Sequence, residues 1–177
     1  MINFSEKEWI TSDYQLRNYL KRCSQCFLST RKGQLVMPYD QLLHMNLKRK
    51  KYSLVLNTVQ SLLKKKPIGH WINFHIDNIT KKALLHDPLN ELEKSHPKVI
   101  EIVRNYCRIN NLKLIILKLQ TQMAKNLTCG LQCLWFTHKC HKLSIHGLLE
   151  LKQVLKHQSV YIREQFIVKQ TMQIYRI

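Results

Sequence analysis

The chain has 177 residues, 45% of them apolar, with only four glycines and four prolines, a composition that fits one globular domain over residues 1–177 and excludes a low-complexity or collagenous chain. Lys plus Arg is 29 against 11 Asp plus Glu, so the formal charge is +18 and a polyanionic partner is expected, nucleic acid first. No window is apolar for long enough to suggest a membrane span, and the opening MINFSEKEWITSD has no apolar core of the kind a secretory signal needs.

Ser12 or Asp13 can cap a helix through about Arg22, with Leu16, Tyr19 and Leu20 on one face. Residues 23–37 read as irregular or weakly extended, and Pro38 can open a short helix through Met45. The basic run Lys48-Arg49-Lys50-Lys51 follows. Residues 52–57, 71–76 and 82–86 read as three strands, with Asp77-Asn78 supplying turn chemistry between the second and third. Asn90 can cap a helix through about Tyr106, whose buried stripe would be Leu92, Val99, Ile102, Val103 and Tyr106. Residues 112–119 read as a β-rich strand, residues 121–126 as a polar loop, and an apolar helix begins near Cys129. Ser144 can cap a further helix through about Lys156, and the last 20 residues alternate apolar and polar in places without settling on an element. Short strands clustered among helices define an α+β domain.

Six cysteines occur, at positions 23, 26, 107, 129, 133 and 140, and without a secretory signal they are expected to be reduced thiols. Cys23 and Cys26 could form half of a zinc site with His138, Cys140 or His141. There is no second C-x-x-C and the spacing fits no common finger, so no metal is expected.

Cysteine proteolysis needs a thiolate, a base, a group that orients the base, and donors for the oxyanion. Cys129 lies where a loop ends and an apolar helix starts, so the positive end of the helix dipole favours its thiolate. Gly130 lets the backbone bring its amides close to a bound carbonyl, and Cys133, one turn on, reads as packing. His70 opens a strand after Pro67-Ile68-Gly69 and can project into a cleft as the base. Asp87, seventeen residues later and before Pro88, ends the following strand and could accept from His70 Nδ1. Asp77 and His86 compete for these roles. Gln122, seven residues before Cys129, could donate to the oxyanion beside the Cys129 amide, with Gln120 as its competitor.

The combination Gly69-His70-Trp71, Asp87-Pro88, Gln122 and Cys129-Gly130-Leu131 resembles the adenain family of adenovirus maturation cysteine proteases in order and in both spacings. Leu54-Val55-Leu56-Asn57-Thr58 is similar to that family's strand before the histidine. The resemblance implies a mixed central sheet flanked by helices, His70 as general base, Asp87 as its orienting acid, Cys129 as nucleophile and Gln122 in the oxyanion hole. It places Trp71 beside the imidazole, where its ring could stabilise the cation. It also implies cleavage of viral capsid and core precursors during virion maturation, in the host nucleus and the virion, by a chain from a divergent adenovirus, a related DNA virus or a virus-like transposon. No cofactor is required for the chemistry, with DNA as an activator bound without sequence preference through Lys48, Arg49, Lys50 and Lys51. Two departures stand out. The acid is Asp where the family usually has Glu, and Cys107, the nearest candidate for a disulfide to an activating peptide, is at a different spacing. The alternatives are a deconjugating protease for ubiquitin-like proteins and a non-catalytic basic DNA-binding virion protein.

Overall fold

A computed structural model describes residues 13–22, 36–45, 50–59 and 69–175. Its centre is a five-stranded sheet in the order β1 (Val36–Pro38), β2 (Lys51–Asn57), β3 (Trp71–Asp77), β4 (Lys82–His86) and β5 (Lys113–Leu117). The three middle strands run antiparallel, while β1 pairs parallel with β2 and β5 parallel with β4, so the sheet is mixed.

Every residue of β3 is buried, which requires cover on both faces of the sheet. Ile72, Phe74 and Ile76 point to one face, where Val99, Val103 and Tyr106 of α3 (Pro97–Ile109) complete the core. Trp71 points to the other face and packs with Cys129, Leu131 and Leu134 of α4 (Cys129–Lys142). The same cluster takes in Leu16 and Leu20 of α1 (Asp13–Arg22) and Val168 and Tyr175 of α6 (Val160–Tyr175). A third cluster joins Leu84 to Trp135 and Phe136 of α4, Leu148 and Leu155 of α5 (Ile145–Lys156), and Ile167. The first nine residues of α4 are all buried, as in a helix enclosed between a sheet and other helices.

A buried polar contact fixes where α4 lies along the sheet. Asn73 Nδ2 donates to Thr137 Oγ1 at 2.7 Å and to Ser53 Oγ at 3.3 Å, and the Cys140 thiol reaches Asn73 Oδ1 at 3.8 Å. A slide of α4 by one turn would leave these groups buried and unpaired, at a cost of roughly 1–3 kcal/mol each.

Four elements depart from the sequence expectation. Residues 36–38 pair as an edge strand, which a three-residue run cannot announce. The helix after Pro38 is a 3₁₀ turn, Tyr39–His44. The helix expected from Asn90 to Tyr106 is two, α2 (Leu92–Ser95) and α3, because Pro97 has no N–H to continue the ladder. Asn90 does not cap it; it adopts φ 58° in the turn after Asp87. Finally, the unsettled C-terminal stretch is the long helix α6. Ser144 caps α5 as expected, its Oγ accepting from Gly147 N at 3.1 Å.

Candidate active site

The β3–β4 hairpin explains the seventeen-residue spacing. Its register pairs Asn73 with His86, so one further step sets Asp87 beside Ile72. His70 lies two residues beyond Ile72 on the same face, a diagonal neighbour within side-chain reach. His70 Nε2 meets Asp87 Oδ1 at 2.5 Å, both groups largely buried. The expected nitrogen was Nδ1, and the structure corrects it. The carboxylate is rooted in its own turn and cannot swing, so the ring presents its outer nitrogen. Cys129 lies near enough to the ring to raise its pKa as well.

Asp87 is rooted by three backbone amides. Oδ1 accepts from Leu89 N at 3.0 Å, and Oδ2 from Glu91 N at 2.7 Å and Leu92 N at 2.8 Å. Burial raises its pKa, but the His70 contact and these amides outweigh it, and the carboxyl is held below its ordinary value. The side chain is one methylene shorter than Glu, and the diagonal register makes that length sufficient.

His70 is held as firmly. Its N–H donates to Thr58 Oγ1 at 3.1 Å, and its carbonyl accepts from Thr58 N at 3.0 Å. Gly69 precedes His70 in close quarters: a Cβ there would stand 1.9 Å from Asn57 Oδ1 and 2.6 Å from the Val59 side chain, so any larger residue would have to push both aside. Burial pulls the imidazole pKa down, yet hydrogen bonds to Asp87 and Cys129 and their charges overcome it, raising His70 from 6.5 to about 9. That favours the protonated ring by roughly 3 kcal/mol.

Cys129 is the first residue of α4 and is 9% exposed. The N-cap residue, Thr128, makes no side-chain cap bond to the helix. Its hydroxyl turns away and donates to Glu164 Oε1 of α6 at 2.5 Å. The first-turn amides are therefore left for another acceptor, as an oxyanion hole requires. Trp71 lies in the buried cluster that includes Cys129, so it supports the nucleophile's helix by packing. Gly130 is buried in the same first turn.

Gln122 is buried in the loop between β5 and α4. Its backbone N–H, like that of Thr121, donates to Pro88 O, at 3.0 and 2.8 Å, which ties this loop to the turn carrying Asp87. The side-chain Nε2 donates to the backbone carbonyl of Asn126, and Oε1 is buried without a partner. One of the two amide hydrogens is thus committed, leaving Nε2 one further hydrogen to donate. Gln120 spends its Nε2 on Gln122 O at 3.0 Å, which supports the loop from outside.

The competing residues are engaged in other contacts. Asp77 ends β3, about 20 Å of strand from its start. There it accepts from Ile79 N and Thr80 N and pairs with Lys51 at 3.6 Å. His86 is buried, stacked on Phe136 at 4.2 Å, and burial lowers its pKa to about 4. Lys51 and exposed Lys50 stand at the Asp77 end of the sheet, while Lys48, Arg49, Cys23 and Cys26 lie outside the described residues. Cys107 is buried, and burial pushes its thiol up to about 11, which suits packing better than disulfide exchange with a peptide. Cys133 is wholly buried with its thiol raised, as packing requires. A cavity of about 350 Å³ lies behind Asp87, lined by Leu85, Leu92, Ile116 and Leu117 among others. Neither His70 nor Cys129 lines it, so it is not where a scissile bond would sit.

The residue that sequence reasoning missed is Glu164. It lies in the unpatterned C-terminal stretch, and only its burial and its two contacts to the nucleophile's loop reveal it.

No family model matches the chain, and no curated protein matches it. Among solved structures it is similar to the SUMO protease Ulp1 with its catalytic cysteine oxidised to a sulfenic acid. The two share 15% identity over 89% of this chain and 75% of that one, with a TM-score of 0.42. Likeness at that level carries no conclusion about activity, so a functional reading rests on the site's own geometry.

Proposed function

We propose that the chain is a cysteine endopeptidase in which Cys129 attacks a peptide carbonyl, His70 manages the proton and Asp87 holds the imidazole. The single observation that supports this best is one imidazole bonded to a buried carboxylate and within electrostatic reach of a thiol at a helix start. Cys129 and His70 would form a thiolate–imidazolium pair. The thiolate attacks the carbonyl carbon, and the oxyanion forms against the Cys129 amide and Gln122 Nε2. His70 then gives its proton to the leaving amine. Water, deprotonated by the neutral imidazole, hydrolyses the thioester and restores the pair. No metal or organic cofactor is needed for these steps.

The substrates we assign are viral capsid and core precursors, cut during virion maturation. That assignment rests on the resemblance to adenain in the order and spacing of His70, Asp87, Gln122 and Cys129. The test is co-expression with virion precursors, wild type against Cys129→Ala, with linear ubiquitin-like fusions in parallel. Cleavage of the fusions and not of the precursors would turn the assignment to a deconjugating protease.

Gln122→Ala is expected to lower kcat roughly 10²–10³-fold with KM little changed, because the oxyanion exists only in the transition state. Gln120→Ala should be mild. Steady-state kinetics on both variants checks the assignment, and the reverse pattern would move the role to Gln120.

DNA is proposed as an activator that works by tethering. The described end of the basic run, Lys50 and Lys51, stands at the end of the sheet opposite His70. Phosphates held there would not enter the cleft, but they would keep the enzyme beside DNA-bound precursors. Binding should be nearly independent of sequence, with a log–log salt slope near −0.9 for each phosphate neutralised. Replacing Lys48, Arg49, Lys50 and Lys51 by Gln should reduce both affinity and slope in gel-shift titrations and leave Cys129 alkylation intact. DNA that neither binds nor changes cleavage at low salt would remove the activator proposal alone.

A further inference from the structure

We propose that Glu164 is a positioning residue that holds the nucleophile and the oxyanion donor in one frame, an inference that rests on the protease reading above. Glu164 is completely buried on α6, and α6 packs against α4 through Val168 and Tyr175. One carboxylate oxygen accepts from Thr128 Oγ1 at 2.5 Å, one residue before Cys129. The other accepts from Asn126 Nδ2 at 2.7 Å. Asn126 in turn offers its backbone carbonyl to Gln122 Nε2. A single rigid carboxylate therefore fixes both ends of the short segment from Asn126 to Thr128. One end sets where α4 begins, and hence where the Cys129 sulfur and amide lie. The other sets the side-chain amide of Gln122.

Two physical points make this more than ordinary packing. A buried carboxylate is costly unless fully bonded, and an apolar residue would suit the surrounding helix contacts at less cost. The hydroxyl of Thr128 is also the group that would normally cap α4, and capping would occupy a first-turn amide. Drawing that hydroxyl onto Glu164 leaves the amides unspent at the place where an oxyanion would develop. The carboxylate thus supplies position and keeps the oxyanion hole open, without touching substrate.

The test separates positioning from stability. Asn126→Ala removes the Nδ2 bond to Glu164 and so frees the backbone carbonyl that positions Gln122 Nε2, and is expected to lower kcat by about tenfold or more with KM and the rate of Cys129 alkylation by iodoacetamide near wild type, because alkylation forms no oxyanion. Thr128→Val frees the helix start and is expected to slow both cleavage and alkylation. Glu164→Gln can still accept from Asn126 and can donate to the Thr128 oxygen, so it should retain more activity than Glu164→Ala. Should Glu164→Ala fail to fold, the two loop variants still decide. If both keep kcat within twofold of wild type while only the melting temperature falls, Glu164 is structural and the proposal is overturned. If the wild-type chain cleaves nothing, the protease reading fails. Slower Cys129 alkylation in Thr128→Val would then still support positioning of the thiol by Glu164, and an unchanged rate would overturn it.

Discussion

Cys129→Ala is expected to abolish cleavage of every substrate the wild-type chain cuts while leaving the fold intact. The side chain is small and sits at the rim of a cluster formed by Leu131, Leu134 and Trp71, so its loss removes about 1 kcal/mol of burial at most. Cys129→Ser should be almost as inactive, because a hydroxyl is far harder to ionise and is a poor nucleophile in the same place. The cheapest check needs no substrate. Iodoacetamide should label Cys129 before Cys107, Cys133 or Cys140, because burial raises the pKa of all three. Cys129 alone among these acts on an imidazole held by a carboxylate. Peptide mapping by mass spectrometry that put the fastest label on Cys23 or Cys140 would end the assignment.

The second large effect concerns the His70–Asp87 pair. His70→Ala should cost about as much as losing the thiol, because members of such a unit fail together. Asp87→Asn should cost less, roughly 10²–10⁴-fold in kcat/KM, since its role is to orient the ring and stabilise its charge. An Asn cannot serve His70 and the amides of Leu89, Glu91 and Leu92 together, so part of that loss comes from the turn itself. The pH profile isolates the electrostatic part. With His70 raised to about 9, the active ion pair should persist to alkaline pH and fail as pH rises through about 9. Without the hydrogen bond and charge of Asp87, two of the effects that raise the ring are lost and the basic limb should move to lower pH. Stability follows the same signs. The contribution of His70 is fully present below pH 6.5 and is lost as pH rises through about 9. That of Asp87, whose pKa is lowered, is present above its ordinary value of 3.8 and is lost as pH falls through the lowered one. The difference in melting temperature between wild type and Asp87→Asn should be greatest between these limits. Asp77→Ala, at the far end of β3, should leave the activity profile unchanged. A large loss at Asp77 with Asp87 silent would assign the wrong acid.

Much of this site could be read from the chain. The β3–β4 strands were visible as apolar runs separated by Asp77-Asn78, and a hairpin of known length brings its open ends together whatever surrounds it. The spacing of His70 and Asp87 is therefore local information. So is Cys129 at a helix start, because a polar loop followed by an apolar run marks that boundary. Local reasoning failed where the deciding partner was distant. The contact through Nε2 depends on where Asp87 is held, and the amides of Leu89, Glu91 and Leu92 hold it in a turn that takes Asn90 to positive φ. The strand at Val36–Pro38 exists only because β2 offers it an edge. Helix α6 lacks a clean amphipathic stripe, since its buried face includes Arg163, Glu164 and Thr171, and so it had no periodic signature. Sequence alone determined the order of the elements and which residue types could serve the chemistry, because these depend on neighbours a few positions away. Only the tertiary structure decided the pairing of His70 with Asp87 through Nε2, the placing of Asp77 at the far end of β3 and of His86 against Phe136, and the buried carboxylate beneath the nucleophile's loop. Each of those depends on segments far apart in the chain that meet only when the two faces of the sheet are covered.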